Sequence, residues 1–117
     1  MNKQELMDVA KRYLNRKGYA ILSQDWRAAD GEVIGIVAES EGVIVFVQAG
    51  DDDGMELVDE QRETAARQWL AAHGAHPADV RFDNIEAHAT ALGALVRHRI
   101  NAIAESARNI APLHAVA

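Results

Sequence analysis

A run of five apolar residues, VIVFV at positions 43–47, constrains the fold of this chain more than any other feature of the sequence. Valine, isoleucine and phenylalanine favour strands, and turn residues at 40–42 and 50–54 limit the run on both sides. Successive side chains of a strand point to opposite faces, so an apolar residue at every position requires cover on both faces. The run therefore predicts a buried strand in a sheet that is packed on two sides.

Two segments have the spacing of amphipathic helices, which would supply that cover. In the first segment, apolar residues recur at intervals of three and four positions: Leu6, Val9, Ala10, Tyr13 and Leu14. Asn2 is a suitable N-cap for this helix, and Lys17-Gly18 marks its end. The second predicted helix spans residues 55–72, and its apolar stripe consists of Val58, Ala65, Ala66, Trp69 and Leu70.

Further strands are predicted at residues 19–23, 32–38 and 80–87, where short apolar runs lie between turn residues. The C-terminal part is ambiguous. Residues 90–109 form one amphipathic helix, or else the segment from Leu95 to Arg99 is a last strand that a short helix follows. With a last strand left undecided, the order α-β-β-β-α-β predicts an α/β domain with a mixed central sheet flanked by helices.

Length and composition bound the class of protein. The 117 residues suffice for one domain, and no linker-like stretch divides them, so we predict a single domain over residues 1–117. The chain has no cysteine, which excludes disulfide scaffolds, cysteine nucleophiles and thiolate metal sites. No apolar run approaches the roughly 20 residues of a membrane span. We therefore predict a soluble, cytoplasmic protein with no membrane contact.

The charges are unevenly distributed along the chain. The net charge is −6, and residues 39–63 contain nine acidic side chains but one basic side chain, Arg62. The first helix is instead basic, with Lys3, Lys11, Arg12, Arg16 and Lys17. Charge blocks of this kind are usually solvated faces. A basic helix also offers contacts to nucleic-acid phosphates, and an acidic segment offers contacts to a protein partner.

Seven short patterns occur in an order and spacing that resemble the YraN family, also called uncharacterised protein family 0102, over about residues 6–103. They are Ala10-x-x-Tyr13-Leu14, Lys17-Gly18-Tyr19, Asp25-Trp26-Arg27, Gly31-Glu32-Val33, Val43-x-Val45-Phe46-Val47, Ala66-x-x-Trp69-Leu70 and Arg81-Phe82-Asp83. The resemblance implies a fold similar to restriction endonucleases and Holliday-junction resolvases, with a three- or four-stranded mixed sheet and the first helix packed on it. It also favours a strand from Leu95 to Arg99.

Enzymes of that fold hold Mg²⁺ with carboxylates at the ends of adjacent strands, and a nearby lysine assists the reaction at phosphate. The resemblance places these groups at three strand positions, where this chain has Ile34, Gln48 and Gly50 instead. The glutamate that the family carries in its first helix corresponds to Met7, with Glu5 and Asp8 as displaced candidates. Because a hard divalent cation favours anionic oxygen, we predict that the chain binds no metal and needs no cofactor.

A residual acidic group keeps a second possibility open. Glu32 is retained next to the position of Ile34, and Asp51 and Asp52 follow the strand that carries Gln48. These three carboxylates could form a relocated metal site. The alternative interpretation is that the loop aspartates are turn-forming, solvated residues.

Three functional hypotheses follow from the sequence. The first is a non-catalytic binding or accessory protein, whose partner is DNA or an unknown protein. DNA would contact Lys11, Arg12, Arg16 and Arg27, although the preferred role of Arg27 is to fix its own loop by stacking or a salt bridge. A protein partner would contact the acidic segment 51–63. The second is a metal-dependent nuclease with the relocated site. The third is a homodimer whose interface covers the vacated cleft.

Histidines give weaker signals. His73 and His76 are three residues apart, but Gly74 and Pro77 indicate a helix exit, where both histidines are ordinary loop residues. If the last segment is a strand, Arg97 and Arg99 face one way and His98 the other. The two arginines then form a small basic ridge or a solvated strand face.

Overall fold

The computed structural model describes residues 2–50 and 60–100, which form two helices and five strands. The helices are α1 (Lys3–Arg16) and α2 (Glu60–Ala72). The strands are β1 (Ala20–Arg27), β2 (Val33–Ser40), β3 (Val43–Gly50), β4 (Asp79–Thr90) and β5 (Gly93–Arg99). The predicted helix at 55–72 is confirmed from Glu60 onward, and its first five residues lie outside the described part of the chain.

All five strands form one sheet in the order β1-β2-β3-β4-β5. Strands β3 and β4 are parallel, and the other three neighbouring pairs are antiparallel. The predicted α/β class with a mixed sheet is confirmed. The resemblance implies three or four strands, but the sheet has five, because β5 pairs with β4 in an antiparallel hairpin. The alternative of a single helix over 90–109 is wrong for residues 93–99, whose backbone pairs with β4.

Local signals set the element boundaries. The Asn2 side chain accepts a hydrogen bond of 2.8 Å from the backbone N–H of Glu5 and thereby caps α1. Gly18 ends this helix region with φ of 90°, a conformation that glycine adopts without strain. Glu41 and Gly42 both have positive φ, at 52° and 82°. Two such residues build the tight turn that joins β2 to β3.

The sheet separates two hydrophobic cores. The core under α1 contains Met7, Ala10, Leu14, Ile36, Ala38, Val45, Val47 and Ile85. The core under α2 contains Ala28, Ile34, Val37, Ile44, Phe46, Ala65, Ala66, Trp69, Val80 and Phe82. Strand β3 contributes alternate residues to both cores, and Ile44 through Val47 are all buried. The prediction that this strand is covered on both faces is confirmed.

Neither helix of the described part of the chain is long and apolar enough to cross a membrane.

Candidate functional site

Two adjoining cavities lie where β2 begins and β3 ends, between the first turns of α1 and the start of α2. They share Val33, Gln48 and Arg62 as lining residues. The larger cavity has a volume of about 200 Å³ and reaches Met7 on α1. The smaller cavity has a volume of about 10 Å³ and reaches Ile34. We call the two cavities together the cleft.

The cleft brings together three of the positions that the resemblance assigns to metal-binding groups. Met7, Ile34 and Gln48 all line it, although they are far apart in the sequence. The fourth position, Gly50, ends β3 two residues beyond Gln48 and pairs in register with Glu86. Three of these positions therefore line one cleft, and none of the four side chains is a carboxylate or a lysine.

Ile34 lines the small cavity with a side chain that is also part of the hydrophobic core. It is 7% exposed and belongs to the core under α2. Ile36, two residues later, belongs to the opposite core. Between them, a Cβ on Gly35 would lie 3.2 Å from the backbone oxygen of Val47 and 3.9 Å from Met7 Cε. The glycine thus permits a close approach of β2 to β3 that a larger residue would disturb.

Gln48 is the polar residue that both cavities share on β3. Its Oε1 atom is buried and has no hydrogen-bond partner among the described residues. A lone amide oxygen is a weak ligand for a hard cation, because Mg²⁺ favours carboxylate oxygens and near-octahedral geometry. The small cavity, about 10 Å³, has room for about one water molecule.

The displaced candidates on α1 do not reach the cleft. Glu5 is exposed at the capped end of the helix. Asp8 accepts a hydrogen bond of 3.0 Å from Gln4 Nε2 and lies 3.8 Å from Lys11 Nζ. Both carboxylates therefore belong to the helix surface, and Met7, 5% exposed, occupies the inward position between them.

Two acidic residues line the small cavity, Asp83 on β4 and, just before β2, Glu32. Its Oε1 atom lies 3.8 Å from Arg62 Nε, and both side chains are about three-quarters buried, at 21% and 26% exposure. Asp51 and Asp52, its proposed companions, lie outside the described residues. Within residues 2–50 and 60–100, no three acidic or histidine side chains are grouped so that they could hold a metal. The residues present do not fit the Mg²⁺ ion that the resemblance implies.

Three basic residues of α1 lie along two surface grooves away from the cleft, whereas Lys3 lines its larger cavity. Arg12 and Arg16 line a groove of about 490 Å³ between α1 and the β4–β5 hairpin, with Tyr13 and Val96. Arg12 also lines a groove of about 640 Å³ toward β1 with Lys11. Lys11 is held in place, because its Nζ donates a hydrogen bond of 2.8 Å to Gln24 Oε1.

Arg27 is exposed at the end of β1 and is not among the residues that line either groove. The four predicted nucleic-acid contacts therefore do not form one surface. Arg12 is the residue common to both grooves, and Arg27 stands apart from them.

A polar network that the sequence did not predict is buried on the α1 face of the sheet. Its centre is Asp83 on β4, which has no exposed surface. Arg81 donates to both carboxylate oxygens of Asp83, from Nε at 2.9 Å and from Nη2 at 2.8 Å. His98 Nε2 on β5 lies 2.6 Å from Asp83 Oδ2. The carboxylate is thereby paired on two sides.

Two tyrosines extend this network to α1 and to the start of β1. The Tyr13 hydroxyl lies 3.0 Å from His98 Nδ1, and Tyr19 accepts a hydrogen bond of 2.6 Å from Arg81 Nη2. Hydrogen bonding to Asp83 raises the pKa of Arg81, although burial opposes it. Burial raises the pKa of Tyr13, and the charges of Tyr19 and Asp83 add to this effect. We call these five residues the Asp83 network.

The Asp83 network also confirms the predicted orientation of the last strand. His98 faces α1, while Arg97 Nη1 lies 3.7 Å from Glu86 Oε1, a residue in register with it on β4. Arg97 and His98 therefore face opposite ways. The spacing of Arg81 and Asp83 was a visible signal for this network, but their partner His98 comes from another strand.

The two histidines after α2 have structural contacts. His73 Nδ1 lies 2.8 Å from the backbone oxygen of Trp69, and the His73 ring stacks on the Trp69 ring at 4.2 Å. His76 is exposed in the loop before β4. The interpretation of both as ordinary helix-exit residues agrees with these positions.

The fold and the cleft define an α/β protein with a five-stranded mixed sheet and a cleft at the end of β3. The family model of uncharacterised protein family UPF0102 matches residues 8–87. A UPF0102 protein of Parafrankia sp. (strain EAN1pec) is 36% identical over 103 residues, which cover 79% of this chain and 86% of that protein. A UPF0102 protein of Beutenbergia cavernae is 32% identical over 97 residues, covering 74% and 80%. The chain belongs to the UPF0102 family.

Proposed function

We propose that this chain is a non-catalytic member of its family, a protein of nuclease-like fold that binds nucleic acid without cleaving it. The observation that carries the proposal is the composition of the cleft. Met7, Ile34 and Gln48 stand where metal-dependent cleavage needs acidic groups, and Gly50 stands in place of the lysine. Without carboxylates at these positions, the cleft lacks the arrangement that would hold Mg²⁺ and activate a water molecule.

The contacts of Glu32 argue against a relocated nuclease site. Its carboxylate is 3.8 Å from the Arg62 guanidinium, so a cation already neutralises it. A divalent metal at this position would have to displace or repel the arginine. Ile34 beside it offers no ligand, and an apolar wall raises the cost of placing a charge there.

The proposed binding surface is the groove between α1 and the β4–β5 hairpin. Arg12 and Arg16 lie one helical turn apart and line this groove together. Both side chains are exposed, and guanidinium groups bind phosphate oxygens in a bidentate manner. The apolar residues Val9 on α1 and Val96 on β5 line the same groove. Glu5 lines the groove as well, so its charged side chains sum to one positive charge, which suits contact with a nucleic-acid backbone.

The test is fluorescence anisotropy of labelled single-stranded and branched DNA, titrated at low and physiological salt with Mg²⁺ present. We expect salt-dependent binding, with the probe intact on a denaturing gel. The double variant Arg12→Ala/Arg16→Ala should weaken binding and lower the slope of log affinity against log salt by about 0.7–0.9 for each lost contact. The matched control is Arg99→Ala, because Arg99 is exposed on β5 and in register with Asn84.

Two results would overturn this proposal. Cleavage of the probe that Glu32→Ala abolishes would establish the relocated nuclease instead. Absence of binding at both salt concentrations would exclude nucleic acid as the partner. A pull-down that compares the unaltered chain with an Asp51→Asn/Asp52→Asn/Asp53→Asn variant would then examine the acidic segment as a protein-binding surface.

A further inference from the structure

The cleft contains an arginine at the place where two cavities meet. Arg62 lies in the first turns of α2 and lines both cavities, as Gln48 does from β3. Its side chain is 26% exposed, and its Nε atom lies 3.8 Å from Glu32 Oε1. The Arg62 side chain thus lies near Glu32, and it lines the cleft together with Gln48 on β3 and Met7 on α1.

From this arrangement we infer that the positively charged Arg62 side chain, which lies inside the cleft, excludes divalent metal ions from it. The inference rests on the proposed function, because it treats the cleft as a former metal site. It goes further by naming the residue that keeps the site closed to metal. A metal site there would need both new carboxylates and the removal of this arginine.

The charge balance of the cleft supports this role. Lys3 and Asp25 line the larger cavity along with Arg62, while Glu32 and Asp83 line the smaller one. Asp83 is already paired with Arg81 outside the cleft lining. Two cationic side chains, Lys3 and Arg62, then face the two remaining acids, so these charges balance without a bound ion. A divalent cation would add two positive charges to this balanced group and would meet a guanidinium that cannot lose its proton.

Gln48 is the neutral member of the arrangement. Its Oε1 atom is buried without a hydrogen bond among the described residues, and both it and Arg62 line each cavity. A glutamate at this position would have nearly the same shape but would carry a negative charge near the guanidinium. Such a charge would form an ion pair with Arg62 before it could serve a metal.

The test is a thermal-unfolding series in which the carboxylates are restored with and without Arg62. The first variant is Ile34→Asp/Gln48→Glu, and the second adds Arg62→Ala. We expect 10 mM Mg²⁺ to leave the Tm of the first variant unchanged and to raise that of the second by about 5 °C or more. Adding Arg67→Ala in place of Arg62→Ala is the matched control, since Arg67 lies on the same helix 3.7 Å from Glu63. This control should not respond to Mg²⁺.

Because Ile34 is buried, its replacement by aspartate could prevent folding, so Gln48→Glu alone provides a second measurement. We expect Gln48→Glu to raise the Tm when Arg62 is present and to lower it in the Arg62→Ala background. A response to Mg²⁺ that is equal with and without Arg62 would overturn the inference. So would a Gln48→Glu effect that does not depend on Arg62. No DNA enters these measurements, so they are independent of the test for nucleic-acid binding.

Discussion

The Asp83 network and the cleft are both polar regions beside the same sheet, but their polar groups are satisfied in different ways. In the network, the buried Asp83 carboxylate has Arg81 on both oxygens and His98 at 2.6 Å. In the cleft, Glu32 has an arginine at 3.8 Å, and Gln48 Oε1 has no hydrogen bond among the described residues. A buried charge with several close partners stabilises a fold only as long as all partners remain. We therefore expect a large loss of stability when the network is altered, and a small loss when a polar side chain of the cleft is altered.

The largest effect is expected at the centre of the network. Asp83→Asn removes the charge that Arg81 and His98 face, and should lower the free energy of unfolding by about 3 kcal/mol. Urea denaturation followed by circular dichroism measures this loss. The matched control is Asp8→Asn on the surface of α1, which should change stability by less than about 0.5 kcal/mol. Similar small effects for both variants would show that the network is not a stabilising unit.

A smaller effect with a distinct pH dependence is expected at Tyr13. Tyr13→Phe removes the hydrogen bond to His98 and should lower the free energy of unfolding by about 1 kcal/mol near neutral pH. Because folding raises the pKa of Tyr13 above its ordinary value of 10.0, the unfolded chain loses this proton first as the pH rises. Stability from this group is therefore present below pH 10 and lost as the pH rises toward the folded pKa.

The measurement for Tyr13 is urea denaturation of the unaltered chain and of Tyr13→Phe at several pH values from 8 to 11. The difference in the free energy of unfolding between the unaltered chain and Tyr13→Phe should narrow above pH 10. A gap that stays constant across this range would contradict the raised pKa and its cause.

Particular residues show how far the sequence alone could predict these two regions. The apolar run of β3 predicted a strand covered on both faces, because every position of that run needs burial. Residues 90–109 were ambiguous because their apolar residues fit both the period of a helix and that of a strand. The backbone pairing of residues 93–99 with β4 shows that this part is a strand. The positions Met7, Ile34 and Gln48 were predictable as members of one site through the resemblance. The roles of Arg62 and His98 were not, since their partners Glu32 and Asp83 come from other elements and no periodicity reports such contacts.

Replacing the polar side chain of Gln48 in the cleft by an apolar one should not lower the free energy of unfolding. Gln48→Met removes an amide oxygen that is buried without a hydrogen bond among the described residues, while keeping the length of the side chain. We expect the free energy of unfolding to stay the same or to rise by about 1 kcal/mol. A loss of more than 1 kcal/mol in urea denaturation would show that the amide has a structural role, and would weaken the contrast with the network.

The smallest effect is expected for the ion pair of the cleft. Glu32→Gln removes one partner of a partly exposed pair at 3.8 Å, which should lower the free energy of unfolding by less than about 1 kcal/mol. Salt screens such pairs, so the effect should shrink further when denaturation is repeated in 1 M NaCl. An effect as large as that of Asp83→Asn would place Glu32 among the structural groups instead.

Isothermal titration calorimetry of Mg²⁺ into the unaltered chain tests the central claim most directly. Of the acids that line the small cavity, Glu32 lies near the Arg62 guanidinium and Asp83 is paired with Arg81. We therefore predict no heat beyond dilution at Mg²⁺ concentrations up to 10 mM, and the same result for Mn²⁺. Saturable binding that disappears in Glu32→Gln would contradict the account, because it would show that the cleft still holds a metal ion.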